Sequence, residues 1–306
     1  MKRVKHNTVI IFLKCMKRFV SVVLLLCVSV ISHSQIYDDE VLTKEIGFSI
    51  GAMNCNTDIG GQVMDIQSFR PSGGIYAAVL YKQRIGLRLE GTVGEVTASD
   101  KRAYSRALKF RNLDFTSTIK EISLLAEIHP LNFTSSKGTT PALSPYLLIG
   151  VGYFGFDPRT KLDDRWVDLQ PLHTEGEGFP ETGRPNYKLS ALNIPVGGGL
   201  RYRISDRLTL YGEAVYRVLT TDYLDDVSTT YIDPALFDKY LSPDNAVLAR
   251  QLADRSYKIG GNSIPRPGSQ RGSPKKDAYY SINLKLGIRL VKESGWRNGQ
   301  VLRRSY

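Results

Sequence analysis

The sequence predicts an all-β fold: an eight-stranded antiparallel transmembrane β-barrel with short periplasmic turns and long extracellular loops. Three observations predict it. Eight stretches of roughly ten or more residues alternate apolar with polar or small side chains, as strands must when one face meets lipid and the other a lumen. The gaps between them run long, short, long, short. Tyr81–Arg84, His129–Leu143 and Ser205–Asp206 are the short ones, and Asn54–Ser72, Val96–Leu113, Phe156–Asn186 and Leu219–Ala278 the long ones. An export leader precedes them. Outer-membrane barrels turn tightly on the periplasmic side, so both chain ends are expected there.

The leader is residues 1–34. It carries six Lys/Arg and no acid, and its apolar run Phe19–Ile31 is too short to cross a bilayer as a helix. Ser32-His33-Ser34 supplies a cleavage site, and Met16 offers a second possible start. The chain is +11 overall. The leader's six cations account for more than half of that, so +5 remains and nucleic acid is not implied as a partner. Of the three cysteines only Cys55 lies beyond the leader, which leaves no disulfide framework. The remainder divides into a periplasmic N-terminal segment (35–43), the barrel (44–292) and a basic periplasmic tail (293–306).

The strands follow in order. Ile46, Phe48, Ile50 and Ala52 oppose Glu45, Gly47, Ser49 and Gly51. Gly73–Lys82 is apolar on both faces. In Arg84–Glu95, Ile85, Leu87, Leu89, Gly91 and Val93 oppose Arg88, Glu90 and Thr92. Ile122, Leu124, Ala126 and Ile128 oppose Glu121, Ser123 and Glu127. Pro145–Phe156 is again apolar on both faces. Tyr187–Ile204 contains Pro195, which cannot donate to a ladder and predicts a bulge. Leu208, Leu210, Gly212, Ala214, Tyr216 and Val218 oppose Thr209, Tyr211, Glu213, Val215 and Arg217. The last strand, Tyr279–Val291, is the most regular. Tyr280, Ile282, Leu284, Leu286, Ile288 and Leu290 share one face, and Ser281, Asn283, Lys285, Gly287 and Arg289 the other. A soluble sandwich is the competing reading; the strand lengths and the alternation of loop lengths favour the barrel. Tyr81, Tyr146, Tyr153, Tyr202, Tyr216 and Tyr279 lie near strand ends, where interfacial girdles belong.

Eleven charged residues fall in the inward phase: Glu45, Glu90, Glu121, Glu127 and Glu213 against Arg88, Arg201, Arg203, Arg217, Lys285 and Arg289. Eight strands enclose an interior that side chains can fill, and buried charges persist only when paired. A closed salt-bridge network is therefore expected rather than a conducting pore.

Three motifs point elsewhere and are weighed against simpler explanations. Gly150-x-Gly152-x-x-Gly155 has the dinucleotide-binding spacing, but Phe156-Asp157-Pro158 follows in place of the helix such a site requires. Glycines easing strand curvature account for it, and for Gly197–Gly199. His173, flanked by Asp168, Glu175 and Glu177, is the one candidate base in the loops, with no serine-centred motif beside it. Asp222, Asp225, Asp226 and Asp233 open the fourth long loop and could ligate calcium, although their spacing departs from an EF-hand and turn formation explains them without metal. No catalytic residues and no cofactor are expected.

Several segments together carry a family resemblance: Lys44–Gly51 with Asp58–Gly61, Arg111–Phe115 leading into Ile119–Glu127, Ser144–Tyr146 with Phe156–Pro158, Leu169–Gly176, and Tyr216-Arg217 followed by Thr221–Tyr231. From about Lys44 to Leu290 the chain resembles the Bacteroidota outer-membrane β-barrel family that includes the PorG-like component of the type IX secretion system. The resemblance implies a non-enzymatic barrel in outer-membrane lipid that contacts the periplasmic ring of the secretion machine. It implies no catalytic residues. Two features depart from the family pattern: the Pro/Gly/Lys/Arg-rich stretch Ile264–Lys276, which reads as disordered, and the basic tail after the last strand. A structural protein, or an adhesin or receptor working through the long loops, is the alternative function, and an outer-membrane hydrolase a third.

Overall fold

The computed structural model describes residues 35–37, 41–60, 65–134, 139–261 and 265–290. The expected leader 1–34 and the expected basic tail 293–306 lie outside the described residues. Eight long strands follow one another: β1 (Leu42–Asn56), β2 (Arg70–Tyr81), β3 (Ile85–Ser99), β4 (Asp114–Ile128), β5 (Leu143–Gly155), β6 (Ser190–Arg203), β7 (Leu208–Leu219) and β8 (Ala278–Arg289). Each pairs antiparallel with its sequence neighbours, and β8 returns to β1 through Glu45↔Arg289 and Asn56↔Ala278. The sheet is closed, so no strand presents an unpaired edge.

Alternation decides which face is which. One aliphatic residue per strand (Ile50, Ile75, Leu89, Ile122, Ile149, Ile194, Leu210 and Leu284) points outward and is between 38% and 71% exposed. A band of this kind around the whole circumference far exceeds the apolar patch a water-soluble monomer carries. A closed barrel satisfies every backbone group without solvent, as a bilayer demands. The molecule is an outer-membrane-type β-barrel.

The two strands that read as apolar on both faces resolve cleanly. Ile75, Val79 and Tyr81 of β2 and Leu147, Ile149, Val151 and Tyr153 of β5 face out. Tyr76, Ala78, Leu80, Tyr146 and Leu148 face in, where they pack with Leu125, Tyr211 and Val215 as a second, internal core. This corrects the girdle assignment for two residues. Tyr146 and Tyr279 are fully buried in the lumen, whereas Tyr81, Tyr153, Tyr202 and Tyr216 do lie outside. Their parity along the strand, not their nearness to its end, sets their direction.

Pro195 makes no bulge. The β6–β7 register runs without a shift from Asn193↔Leu219 to Arg203↔Thr209, and the β6–β5 register resumes unshifted at Val196↔Ile149 after Asn193↔Gly152. The missing donor costs local pairing toward β5 and leaves the alternation intact. The first strand also begins at Leu42, two residues inside the segment expected to precede the barrel.

The long loops carry structure of their own: helices α1 (Arg106–Arg111), α2 (Ala235–Tyr240) and α3 (Pro243–Ala253), and a hairpin of Arg159–Leu162 with Arg165–Asp168. Ser242 caps α3 by accepting from the Asn245 amide at 3.4 Å, with Pro243 at its first position. Leu162, Leu172, Phe179, Leu224, Phe237 and Leu252 bury into a core continuous with Met53, Phe115, Phe154 and Tyr279 of the barrel mouth. The loops thus form a cap over one end. Residues 265–276, inside the stretch expected to be disordered, belong to it. Arg271 is 4% exposed, and the Gly272 amide bonds Thr229 O at 2.9 Å. A buried guanidinium that finds three acceptors orders a segment whose composition alone would not.

At the opposite, short-turn end, Gln35–Tyr37 pairs antiparallel with Thr139–Pro141, joining the N-terminal segment to the longest turn. Lys82 and Gln83 take positive φ of 49° and 57° in the tight β2–β3 turn, the mirror-type geometry that matches the twist of a two-residue hairpin.

Candidate functional site

The eleven charges assigned to the lumen are all buried, none more than 6% exposed. Their centre is a five-membered cluster. Arg88 lies 2.5 Å from Glu127, 2.6 Å from Glu213 and 3.4 Å from Glu90. Lys285 meets Glu90 at 2.6 Å and Glu213 at 2.7 Å, and the Tyr146 hydroxyl donates to Glu213 at 2.7 Å. Toward the cap, Arg217 pairs with Glu121 at 2.6 Å, to which Tyr279 donates at 3.0 Å. Toward the short turns, Glu45 accepts from Tyr76 at 2.8 Å and from Tyr211 at 2.6 Å. Arg289 donates to Thr43 at 3.1 Å, and Arg201 and Arg203 are buried on the same inner face. Several of these pairs (Arg88–Glu213, Lys285–Glu90 and Arg217–Glu121) join strands that are not neighbours in the sheet, so the opposite charges meet across the lumen, with the tyrosines among them.

The strand glycines serve this packing. A Cβ on Gly150 would fall 2.1 Å from Leu124 O of the adjacent strand, and the motif sits inside β5 with no helix after it, so nothing there cradles a phosphate.

The four acids of the calcium candidate, in the cap, are met by amides and hydroxyls. Asp225 accepts the amides of Ile59 at 2.9 Å and Val227 at 3.0 Å. Asp226 accepts the hydroxyls of Thr174 and Tyr187, each at 2.5 Å. Asp222 accepts Ser228 Oγ at 2.8 Å, and Asp233 accepts the Ala235 amide at 3.0 Å at the start of α2. The four carboxylates of the calcium candidate therefore point to four different places. Among the described residues no three His, Cys, Asp or Glu side chains form a group that could hold a metal ion. Glu175, considered beside His173, turns instead to Ser228, Thr229 and Arg271 at 2.7 to 3.1 Å. His173 packs on Phe179, with ring centroids 5.6 Å apart.

Burial raises these acids. It pushes the Asp225 carboxyl up to about 7, and Asp222 and Asp226 each to about 6. Glu177 is pushed up to about 8, first by burial and then by the neighbouring charges of Asp226 and Glu175.

The arginines that tie the cap together carry no sequence motif. Arg111 spans Asp100 at 2.8 Å and Asp58 O at 2.9 Å; Arg271 bonds Glu175 at 3.1 Å, Asp226 O at 2.8 Å and Ala253 O at 3.1 Å. No helix is expected from the sequence in the fourth loop; the local signal for α3 is the helical spacing of its buried Ala246, Ala249, Leu252 and Ala253.

Between α1, the first loop and the fourth loop lies a cleft of about 520 Å³, lined by Thr57, Asp58, Phe110, Asp254 and Gln270 among others.

Among solved structures, the chain is similar to the N-terminal β-barrel domain of Pseudomonas aeruginosa OprF, at 10% identity over 84% of this chain and 99% of that one, with a TM-score of 0.32. It is similar to the attachment invasion locus protein Ail of Yersinia pestis, at 9% identity over 81% and 97%, with a TM-score of 0.35. Neisserial surface protein A matches at 8% identity over 81% and 97%, with a TM-score of 0.34. No curated protein sequence matches the chain. Residues 17–235, well over half of the chain, match the family described as "Domain of unknown function (DUF6089)", and the chain belongs to that family.

Proposed function

We propose that this protein is a non-catalytic outer-membrane barrel that anchors and contacts other proteins at its periplasmic end, as a component of the type IX secretion system docked to the machine's periplasmic ring. A lumen packed with paired charges conducts nothing, so the working surfaces are the two ends. The observation that carries the periplasmic reading is the pairing of Gln35–Tyr37 with Thr139–Pro141, which builds a backbone ribbon from two segments distant in sequence. The sequence resemblance supplies the identity of the partner. Crosslinked pull-down of the tagged protein from native outer membrane is the test. Ring components are expected with the wild-type chain and are lost when Thr139–Pro141 is replaced by Gly-Ser-Gly. Recovery of the barrel alone, in cells that do assemble the ring, overturns the proposal.

A second reading has its own support. The ordered cap presents the 520 Å³ cleft outward, which suits a surface receptor. A chain in which the cap loops are shortened separates the two, since ring contact survives that change and surface binding does not.

A further inference from the structure

The rim where the lipid-facing belt meets the cap carries a second cleft, of about 490 Å³, over the ends of β6 and β7. Lys188, Ser190, Thr220, Thr221, Tyr223 and Lys276 line it. Its height on the barrel follows from the hydrogen bonds. The Thr220 hydroxyl donates to Leu192 O at 2.9 Å, and the Leu192 amide donates back to that hydroxyl at 3.2 Å, so the two residues lie level. Leu192 is 56% exposed and is the topmost aliphatic side chain on the outer face of β6, with Ile194, Tyr216 and Val218 exposed below it. The cleft therefore opens at the height of lipid headgroups, where the acyl belt ends.

Its chemistry is that of a phosphorylated sugar. The two ammonium groups are exposed, and lysine meets phosphate as a mobile point charge. Hydroxyls of Ser190, Thr220 and Thr221 line the same wall and match a polyol. Tyr187 is stacked between Phe156 and Tyr223, the latter at 4.6 Å between centroids and 6° from parallel, so Tyr223 is held flat at the cleft as the ring against which a sugar can lie. The one carboxylate of the cleft, Asp222, is 6% exposed and already accepts Ser228 Oγ, so the accessible charge is positive.

We propose that this cleft binds the phosphorylated saccharide headgroup of an outer-leaflet glycolipid, whose acyl chains run down Leu192, Ile194 and Val218. Continuity with the lipid-facing belt selects a lipid over a soluble phosphate.

The test uses the full chain refolded into phosphatidylcholine nanodiscs, with diphosphoryl lipid A as the probe and native mass spectrometry as the readout. Diphosphoryl lipid A is expected to stay bound. The double substitution Lys188→Ala with Lys276→Ala should weaken retention about tenfold or more, while Lys239→Ala, on the cap surface, leaves it unchanged. Heat-modifiable gel migration confirms that each variant is folded. Equal retention of the dephosphorylated lipid overturns the proposal. Retention unaffected by the double substitution also overturns it, as does binding of inorganic phosphate as tight as that of the lipid.

Discussion

Buried carboxylates occur in both the lumen and the cap, and the two regions keep them by different means. In the lumen, Glu90, Glu127 and Glu213 face Arg88 and Lys285 at 2.5 to 3.4 Å. In the cap, Asp225 and Asp226 are met by amides and hydroxyls, and guanidinium partners at about 3 Å are kept for Asp100, with Arg111, and Glu175, with Arg271. The difference follows from what each backbone has left to offer. Strands spend their amides on the ladder, so an inward carboxylate must be answered by a side chain, and the fixed registers place a cation beside it. Loops retain free amides that can converge on a carboxylate. Pairing ties the lumen's acids to its cations, while burial leaves the cap's Asp225 open to protonation, which its two amide bonds offset only in part.

The largest expected effect breaks the lumen side of that contrast. Arg88→Met removes the guanidinium that Glu90, Glu127 and Glu213 share, and the barrel should lose about 3–5 kcal/mol, read by urea unfolding in lipid vesicles. A loss below about 1 kcal/mol would mean the network is wet. Arg271→Met does the same to the cap, taking the nearest guanidinium from Glu175 and a donor from two carbonyls at a cost of about 2–3 kcal/mol. Its effect should appear as faster hydrogen exchange in residues 220–277, with the β-strand amides unchanged. Uniform acceleration would show that cap and barrel unfold as one unit.

The contrast also explains what was legible. A bilayer forces every second strand residue to be apolar, so parity alone gave the inward direction of all eleven lumen charges, from Glu45 to Arg289. It did not name their partners, because Arg88 and Glu213 lie 125 positions apart. Loops obey no such period. The Asp225–Ile59 bond spans 166 positions, and Arg271 sits in a stretch whose Pro, Gly and Lys content reads as disorder. Nothing local to either residue announces its contact. Tyr146 and Tyr279 show a different limit: both lie near strand ends, yet parity along the strand turns them inward.

Acid titration sharpens the comparison at a smaller scale. Glu177, Asp225 and Asp226 have carboxyls raised by burial to about 8, 7 and 6. In the unfolded chain such groups ionise near pH 4. Between those limits the folded cap holds more protons than the unfolded one, so its stability is full below about pH 4 and falls as pH rises through 6 to 8. Protection factors, exchange corrected for its intrinsic pH dependence, should fall over that range at Ile59 and Val227, whose amides bond Asp225, and Glu177→Gln should flatten the upper part of that fall. Protection that instead increases with pH would reverse the assignment.

The smallest effect belongs to the cap's outer surface. Arg250 and Asp238 pair at 2.5 Å across α2 and α3, but their side chains are 36% and 61% exposed. Solvent screens the pair, and ordering two long side chains costs most of the gain. Arg250→Ala should therefore change cap stability by no more than about 0.5 kcal/mol, measured by the same exchange experiment. If it matched Arg271→Met, net charge would stabilise the cap regardless of position, and the buried amide and arginine contacts would lose their special standing. If it stays small, the cap's stability lies in the few groups that water does not reach.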